Sequence, residues 1–411
     1  MRSRTHSLHR LDAAKHLFYP STAEAEAANA KAESNNGGGD GKTTKPPRIK
    51  RLRRLPEPSM RFFQFPFPDA DEEEPDPWPS MDDAFMLVSP GTSDAAILHA
   101  TEHGRAVIYD ADARAASAAV PCFPKPMGRD PIVFTVPGSG RFTDDGVFDE
   151  KESLYVMRSG IKKPPQDGGG CSGDFVVLNL NHPFEWEQLP PPPFPAGYYS
   201  GDIGVTITSS TTTVAGGGRT FCVSSKKGGA ESTYCFDTAA RQWRHAGDWA
   251  LPFYGRAEYV PELETWIGLS PYPRCNLCAS DLSAAAMDAA AHQQAPTLQH
   301  VWDDFTPPPE KRSSVVLNRR FPHFVLRRWK EWSAPLGLHL VNLGSGRFCI
   351  FKVFDIRRGE QVGFHVDDTF GEEMVAVITG VEVVRGEDGE LRMVKHKARR
   401  CPFPGLRWSV F

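Results

Sequence analysis

The feature that most constrains this chain is a layout that returns along it. Strand-like runs come in fours. An Asp or Asn closes the third run, a Trp lies in the fourth, and Leu-Pro follows in the fullest copies. The clearest copy is "GRTFCVSSKKGGAESTYCFDTAARQWRHAGDWALPF", Gly218 to Phe253. The acid or amide recurs as Asp110, Asn181, Asp237 and Asp281, and the ring as Trp186, Trp243 and Trp302. Each residue type has a physical use at its place. An Asx side chain accepts backbone N–H groups where the chain must turn back. A large ring wedges between sheets. Pro ends the pairing because it cannot donate to a ladder.

The runs group readily. "AFMLVS", "AAILHAT", "AVIYDAD" and "ASAAVPC" form one unit, and "PIVFTV", "SLYVMR", "DFVVLNLN" and "FEWEQLP" the next. "DIGVTITS", "RTFCVSS", "STYCFDT" and "QWRHAGDW" follow, then "RAEYV", "TWIGLS", "NLCASDL" and "LQHVWDDF". "LHLVNL", "RFCIFKVF", "MVAVITGVEVV" and "LRMVKHKARR" close the chain. "HSLHRLD" and "HLFYP" read as two outer strands of a further unit. One such sheet cannot bury both faces alone, whereas neighbours arranged around an axis can. The expectation is an all-β protein, a β-propeller of about six four-stranded blades.

On that reading residues 1–20 supply outer strands of the first or closing blade. Residues 21–58 are a disordered linker followed by a basic loop, because 21–47 carry almost no large apolar side chains. The propeller fills 59–411, with loop insertions at 67–82, 162–173, 281–296 and 355–372. The Ala-rich stretch at 281–296 is the place where helix is expected.

Composition removes whole classes. The net charge of −4 argues against broad electrostatic binding of nucleic acid. No apolar run reaches the length of a membrane span, and the N-terminus lacks a secretory core. A transit peptide stays open, since no acid precedes Asp12. The eight cysteines are scattered, mostly inside apolar runs, so buried reduced thiols in cytoplasm or nucleus are expected.

Motifs that carry chemistry are few. "GSGRF" at 138–142 and 344–348 lacks the following helix and Lys-Ser/Thr of a phosphate loop, and reads as a hairpin turn. Cys275 and Cys278 form a lone C-x-x-C without a second close ligand pair for zinc. "PPRIKRLRRLP" at 46–56 reads as a solvated loop, with nuclear import or a polyanion contact as alternatives. "RRFPHFVLRRWKEW" at 319–332 mixes Arg with aromatics, and its plain reading is an insertion packed on a blade. No catalytic residues, metal ligands or cofactor motif stand out. The ligand-binding candidates are Arg256 and Glu258, two apart on an expected innermost strand and hence on one face of it. The plain alternative is an ion pair satisfied along the channel wall.

The stretch "YCFDTAARQWRHAGDWALPFYGRAEYVPELETWIGLS", with "NLCASDL", "LGSGRFCI", "VITGVEVVRGEDGELRMVKHKARR", "YDADARA" and "RLPEPSMRF", resembles a plant family of uncharacterised kelch-like proteins expanded in grasses, domain of unknown function 1668. The likeness runs over most of the chain from about residue 50, plus "HSLHRLD". It implies a kelch-like propeller of unknown activity. Members usually carry a strand before "SLHRLD", so the first blade here is expected to be incomplete or completed from the C-terminus. The Gly-Gly pair of kelch repeats proper is not regular in this chain. The function expected is a non-catalytic module with a protein partner. One rival is a propeller enzyme acting on a small molecule or sugar in the central channel. Another is a ubiquitin-ligase substrate receptor without a recognisable F-box.

Overall fold

The computed structural model describes every residue except 1–4, 37–48, 53–54, 64–82, 89–95, 102, 129, 137–140, 143–147, 150–152, 162–172, 181–183, 196–204, 214–219, 228, 284–294, 317–324, 363–367, 403–409 and 411. The chain begins with strand β1 (Thr5–Leu8) and helices α1 (Ala13–Leu17) and α2 (Thr22–Asn36). Strands β2 (Lys50–Arg51) and β3 (Met60–Phe63) follow, and β3 pairs with β1.

Four antiparallel meanders come next. The first sheet is β4 (Ala84–Leu87), β5 (Ala96–Ala100), β6 (Ala106–Asp110) and β7 (Ala115–Val120). After β8 (Ile132–Val136) comes a short ladder of β9 (Arg141–Phe142) and β10 (Phe148–Asp149). Strand β11 (Ser153–Met157), the two-residue β12 (Gly160–Ile161), β13 (Phe175–Asn179) and β14 (Trp186–Gln188) follow. The second sheet has the order β8-β11-β13-β14. The third sheet is β15 (Val205–Thr213), β16 (Thr220–Lys227), β17 (Ala230–Asp237) and β18 (Gln242–Gly247). The fourth is β19 (Tyr254–Val260), β20 (Thr265–Leu269), β21 (Leu277–Ser280) and β22 (Leu298–Trp302). The first strands of these two sheets, β15 and β19, pair in parallel, while β12 caps the start of β15.

The last sheet is larger. It contains β23 (Lys311–Val316), β24 (Val325–Trp332), β25 (Gly337–Asn342), β26 (Arg347–Val362), β27 (Asp368–Arg385) and β28 (Leu391–Pro402), with β2 added in parallel along β28. The first half of β26 pairs with β25, its second half with β24. The described part of 355–372, expected as a loop insertion, therefore prolongs a hairpin: β26 runs on to Val362 and β27 starts at Asp368. The reason is a partner for the extra edge, because β24 and β23 supply the backbone groups that a bare extension would leave unpaired.

Period-two alternation explains how consecutive sheets join. In the second sheet, Leu154, Val156, Val176 and Leu178 face the first sheet. Their neighbours Tyr155, Met157, Phe175 and Val177 face the third sheet with Phe221, Val223 and Phe236. Cys222, Cys235 and Ala246 turn the other way, toward Trp266 and Cys278 of the fourth. Ile267, Leu269, Leu277 and Ala279 meet Phe348, Ile350, Val381 and Val383 of the last. Every sheet in the run is thus apolar on both faces, at about 1.5–3 kcal/mol for each fully buried large side chain. The N-terminal segment touches both ends of the run. Phe62 packs edge-on against Phe85 and Tyr109 of the first sheet, while Leu17 and Phe18 join Phe351, Val353 and Ile378 of the last. This face-to-face succession of meanders is β-propeller-like and, among the described residues, all-β apart from the N-terminal helices and one short 3-10 turn at Pro261–Leu263.

The recurrent residues do what their chemistry suggests. Asp110 Oδ1 accepts from the N–H groups of Asp112 and Ala113, at 2.8 Å each. Asp237 Oδ1 accepts from Ala239 and Ala240, and Asp281 Oδ1 from Ser283. Asn181 lies outside the described residues. The Trp and the Pro that closes the preceding unit work together. Trp186 Nε1 donates to Pro121 O at 2.8 Å, and Trp243 Nε1 to Pro190 O at 2.7 Å. In both cases the ring of one sheet is tied to the exit turn of the sheet before it. The turn at 344–346 is a hairpin turn with Gly344, Ser345 and Gly346 all at positive φ, as the Gly content demands.

Four further expectations change. "HLFYP" is not a strand: residues 13–17 form α1, because Asp12 caps it by accepting from Lys15 N. Residues 22–36 are not disordered but form α2, an Ala-rich helix held by polar docking rather than by an apolar face. Thr22 donates to Glu382, Asn29 to Lys395 O, and Glu26 pairs with Arg392, all on the last sheet. Not all the thiols are free: Cys222 and Cys235 form a disulfide, because they sit directly opposite each other on β16 and β17 with Cα atoms 4.0 Å apart. The basic stretch at 46–56 is not wholly loop, since Lys50–Arg51 pairs with Arg399 and Arg400. The insertion expected at 67–82 lies outside the described residues, as do 162–172 and 284–294 of two others.

Candidate functional site

Arg256 and Glu258 stand where the sequence reading placed them, on the first strand of the fourth sheet. Gly255 takes φ +69°, and the register with β20 shifts between Tyr254 and Glu258. The bulge turns the start of β19 without upsetting the alternation that follows. Ala257 points into the core between the third and fourth sheets, so Arg256 and Glu258 share the opposite face. Their side chains pair at 3.3 Å, Arg256 Nε to Glu258 Oε1. The guanidinium also donates from Nη1 to Val133 O, at 3.2 Å. Val133 belongs to β8, so this contact spans from the first strand of the fourth sheet to the first strand of the second. Arg256 thus works as a cross-axis tie with its charge largely answered.

At the strand ends near by, large apolar side chains are exposed in a way the strand pattern did not announce. Tyr254 is 47% exposed, Tyr272 63% and Leu336 54%. Tyr254 pairs with Leu269, and Tyr272 follows three residues after Leu269 in the turn between β20 and β21. Leu336 immediately precedes β25. All three lie at the ends where β19 and β25 begin and β20 stops. Arg274 is exposed in the same turn as Tyr272. The available signal was an aromatic in "SPYPR", a turn where polar residues are the norm.

Three buried ionic clusters escaped the sequence reading. Asp83 Oδ2 lies 3.0 Å from His99 Nε2 and 3.6 Å from His6 Nε2. His99 stacks on Phe85, and Phe62 closes over it. Lys352 Nζ meets Asp304, 2.9 Å from Oδ1 in hydrogen-bond alignment and 2.7 Å from Oδ2. Burial pushes the Asp304 carboxyl up despite Lys352 and the Leu277 N–H, which pull the other way. Glu382 accepts from Thr22 Oγ1 at 2.7 Å, lies 3.2 Å from His396 Nε2, and pairs with Arg347. Burial would raise Glu382, but the bonds from Thr22, His396 and Arg347 outweigh it and hold the carboxyl below its usual range. Each cluster joins two elements distant in sequence, and each carboxylate is answered by its neighbours.

Cys275 and Cys278 are both buried, and Cys278 Sγ donates to Gly268 O. Burial raises both thiols, which opposes the thiolate that metal binding or redox chemistry needs. Among the described residues no three His, Cys, Asp or Glu side chains gather to hold a metal ion, and no helix is long and apolar enough to cross a membrane.

A family model described as "Protein of unknown function (DUF1668)" matches residues 1–401. No curated protein matches the chain. Among solved structures, the Cps50 (Swd1) β-propeller domain of Myceliophteria thermophila aligns at 11% identity and TM-score 0.27, over 75% of this chain and 96% of that one. TolB from Acinetobacter baumannii aligns at 12% and 0.25, over 79% and 66%. An engineered GH43 glycoside hydrolase aligns at 9% and 0.23, over 77% and 78%. At such TM-scores these likenesses carry no weight here, and the fold rests on the chain's own sheets and interfaces.

Proposed function

From the premise that the chain belongs to the DUF1668 family, proteins of unknown function, we propose that it is a kelch-like propeller of about six blades acting as a non-catalytic protein-interaction module. The β1–β3 pair and the N-terminal helices complete the ring between the last sheet and the first. The observation that carries the reading is the exposed set Tyr254, Tyr272 and Leu336 at the ends of β19, β20 and β25. Tyr and Arg anchors beside an aliphatic side chain are the composition that dominates binding energy at protein interfaces. Binding is favoured over axial catalysis because Arg256 spends its charge on Glu258 and on Val133 O.

The test compares partners recovered by the immobilised wild-type chain, by Tyr254→Ala/Tyr272→Ala/Leu336→Ala, and by Leu343→Ala. Leu343 is also exposed but lies past the far end of β25. A partner that wild type and Leu343→Ala retain and the triple variant loses supports the face. Equal recovery by all three removes it.

A further inference from the structure

The two basic stretches, at 46–56 and 319–332, are far apart in sequence, yet they enter the same sheet. β2 carries Lys50 and Arg51 onto one side of it, and β24 carries Arg327, Arg328 and Lys330 onto the other. The register decides which cations meet. Lys311 of β23 lies directly opposite Lys330 of β24, which lies directly opposite Arg358 of β26. Across β28 and β2, Arg400 aligns with Arg51. Alternation puts all five on one face. Ile356 and Phe354 lie on the Arg358 side of β26, and on β27 Glu373 is opposite Ile356, Val375 opposite Phe354 and Val377 opposite Lys352. Val377 in turn pairs with Arg400.

Directly opposed like charges disfavour a sheet. Here three occur in a row. One acid answers them: Glu373 pairs with Arg358 at 2.7 Å. Lys311, Lys330, Arg400 and Arg51 have no ion-pair partner among the described residues. Burial, then Arg358, Arg400 and Lys311, push the Lys330 ammonium below its usual range, and Glu373 offsets only part. An electrostatic cost of this form is relieved by an anion that several of the cations share.

We infer that this face of the last sheet, lined by Lys311, Lys330 and Arg358, binds a compact polyphosphate: several linked phosphate groups within a span of a few strand spacings. The Lys311–Lys330–Arg358 row covers two spacings, about 10 Å, which suits linked phosphates rather than a long chain. Both Lys, as point charges, and Arg, as a fork, are phosphate-binding groups. The nearest aromatic, Trp332, has its ring engaged edge-on with Phe354 and tilted against Phe305. Among the described residues no free ring flanks the row for base stacking, which favours phosphate alone over single-stranded nucleic acid. The inference rests on none of Tyr254, Tyr272 and Leu336.

Titration calorimetry on the full chain at low salt tests this, with inorganic tripolyphosphate, adenosine triphosphate, orthophosphate and a single-stranded RNA as probes. Saturable tripolyphosphate binding, at least about tenfold weaker in Lys311→Ala/Lys330→Ala and weakened by added salt, is the expected result. Arg244→Glu, an exposed cation on β18, leaves it unchanged. Thermal melts that match wild type without ligand show that the double variant folds; if they do not, Arg358→Ala, at an exposed position, takes its place. Adenosine triphosphate binding as tightly as tripolyphosphate identifies a phosphate ester as an acceptable source, and weaker binding points to the inorganic chain. No saturable heat, equal affinity in the variants, or binding of RNA that tripolyphosphate does not displace overturns the inference.

Discussion

Replacing Asp304 by Asn tests the reasoning about how the fourth and last sheets are held together. Lys352 lies on β26 in the last sheet with 2% of its surface exposed, and Asp304 follows β22 of the fourth. Asn keeps an oxygen for the Leu277 N–H, which Asp304 now accepts at 3.2 Å. The substitution therefore removes the charge and little else, leaving a buried ammonium unanswered. Breaking one side of a buried pair costs about 3–5 kcal/mol. Lys352→Met should behave differently, because the stranded carboxyl can escape by taking a proton. Burial already raises its pKa, and losing Lys352 raises it further. A carboxyl raised in the folded state lends stability that is complete below its unfolded value, near 4, and lost as pH rises through the folded one. The Lys352→Met deficit should thus be larger at neutral pH than near pH 5. The double variant Asp304→Asn/Lys352→Met carries no buried charge and should cost about 2–4 kcal/mol less than the two single deficits added. Urea unfolding at both pH values reads all of this. An Asp304→Asn deficit under about 1 kcal/mol, or strict additivity in the double variant, would refute the argument.

Other expectations follow from single contacts. Trp243→Phe loses the bond to Pro190 O and should cost about 1 kcal/mol in denaturant unfolding, with the fold retained. A Cβ on Gly380 would sit 2.5 Å from Leu17 O and 2.9 Å from Leu17 Cβ, so Gly380→Ala should cost about 1–3 kcal/mol and speed proteolysis near α1. Acidification should loosen the N-terminal helices in two stages. Burial lowers His396, so its contribution is whole above about pH 6.5 and fades as pH falls; Glu382, also lowered, loses its share below about pH 4.5. Hydrogen exchange in α1 and α2 reports this, and Glu382→Gln should abolish the second stage. Among the described free cysteines, Cys122 is exposed and should react with a thiol reagent in the native state. Cys349 and Cys401, which burial pushes up to about 12 and about 11, should stay silent until unfolding.

What could be read from the residues in order was whatever a short window decides. The four-run units, the Asx turns after the third strand and the Trp with its Leu-Pro are legible because each is set by neighbours a few positions apart. Arg256 and Glu258 could be paired by eye for the same reason, since two residues apart on a strand means one face. The tertiary structure decided what depends on distant partners. α2 lacks an apolar stripe, and only Glu382, Lys395 and Arg392 of the last sheet explain why it is held. Residues 355–362 became strand because β24 returned to pair with them. The carbonyl that Arg256 reaches lies 123 positions away, and Lys352 finds Asp304 across 48. Local order carries propensity and alternation, but charge and edge pairing are settled only when the sheets come together.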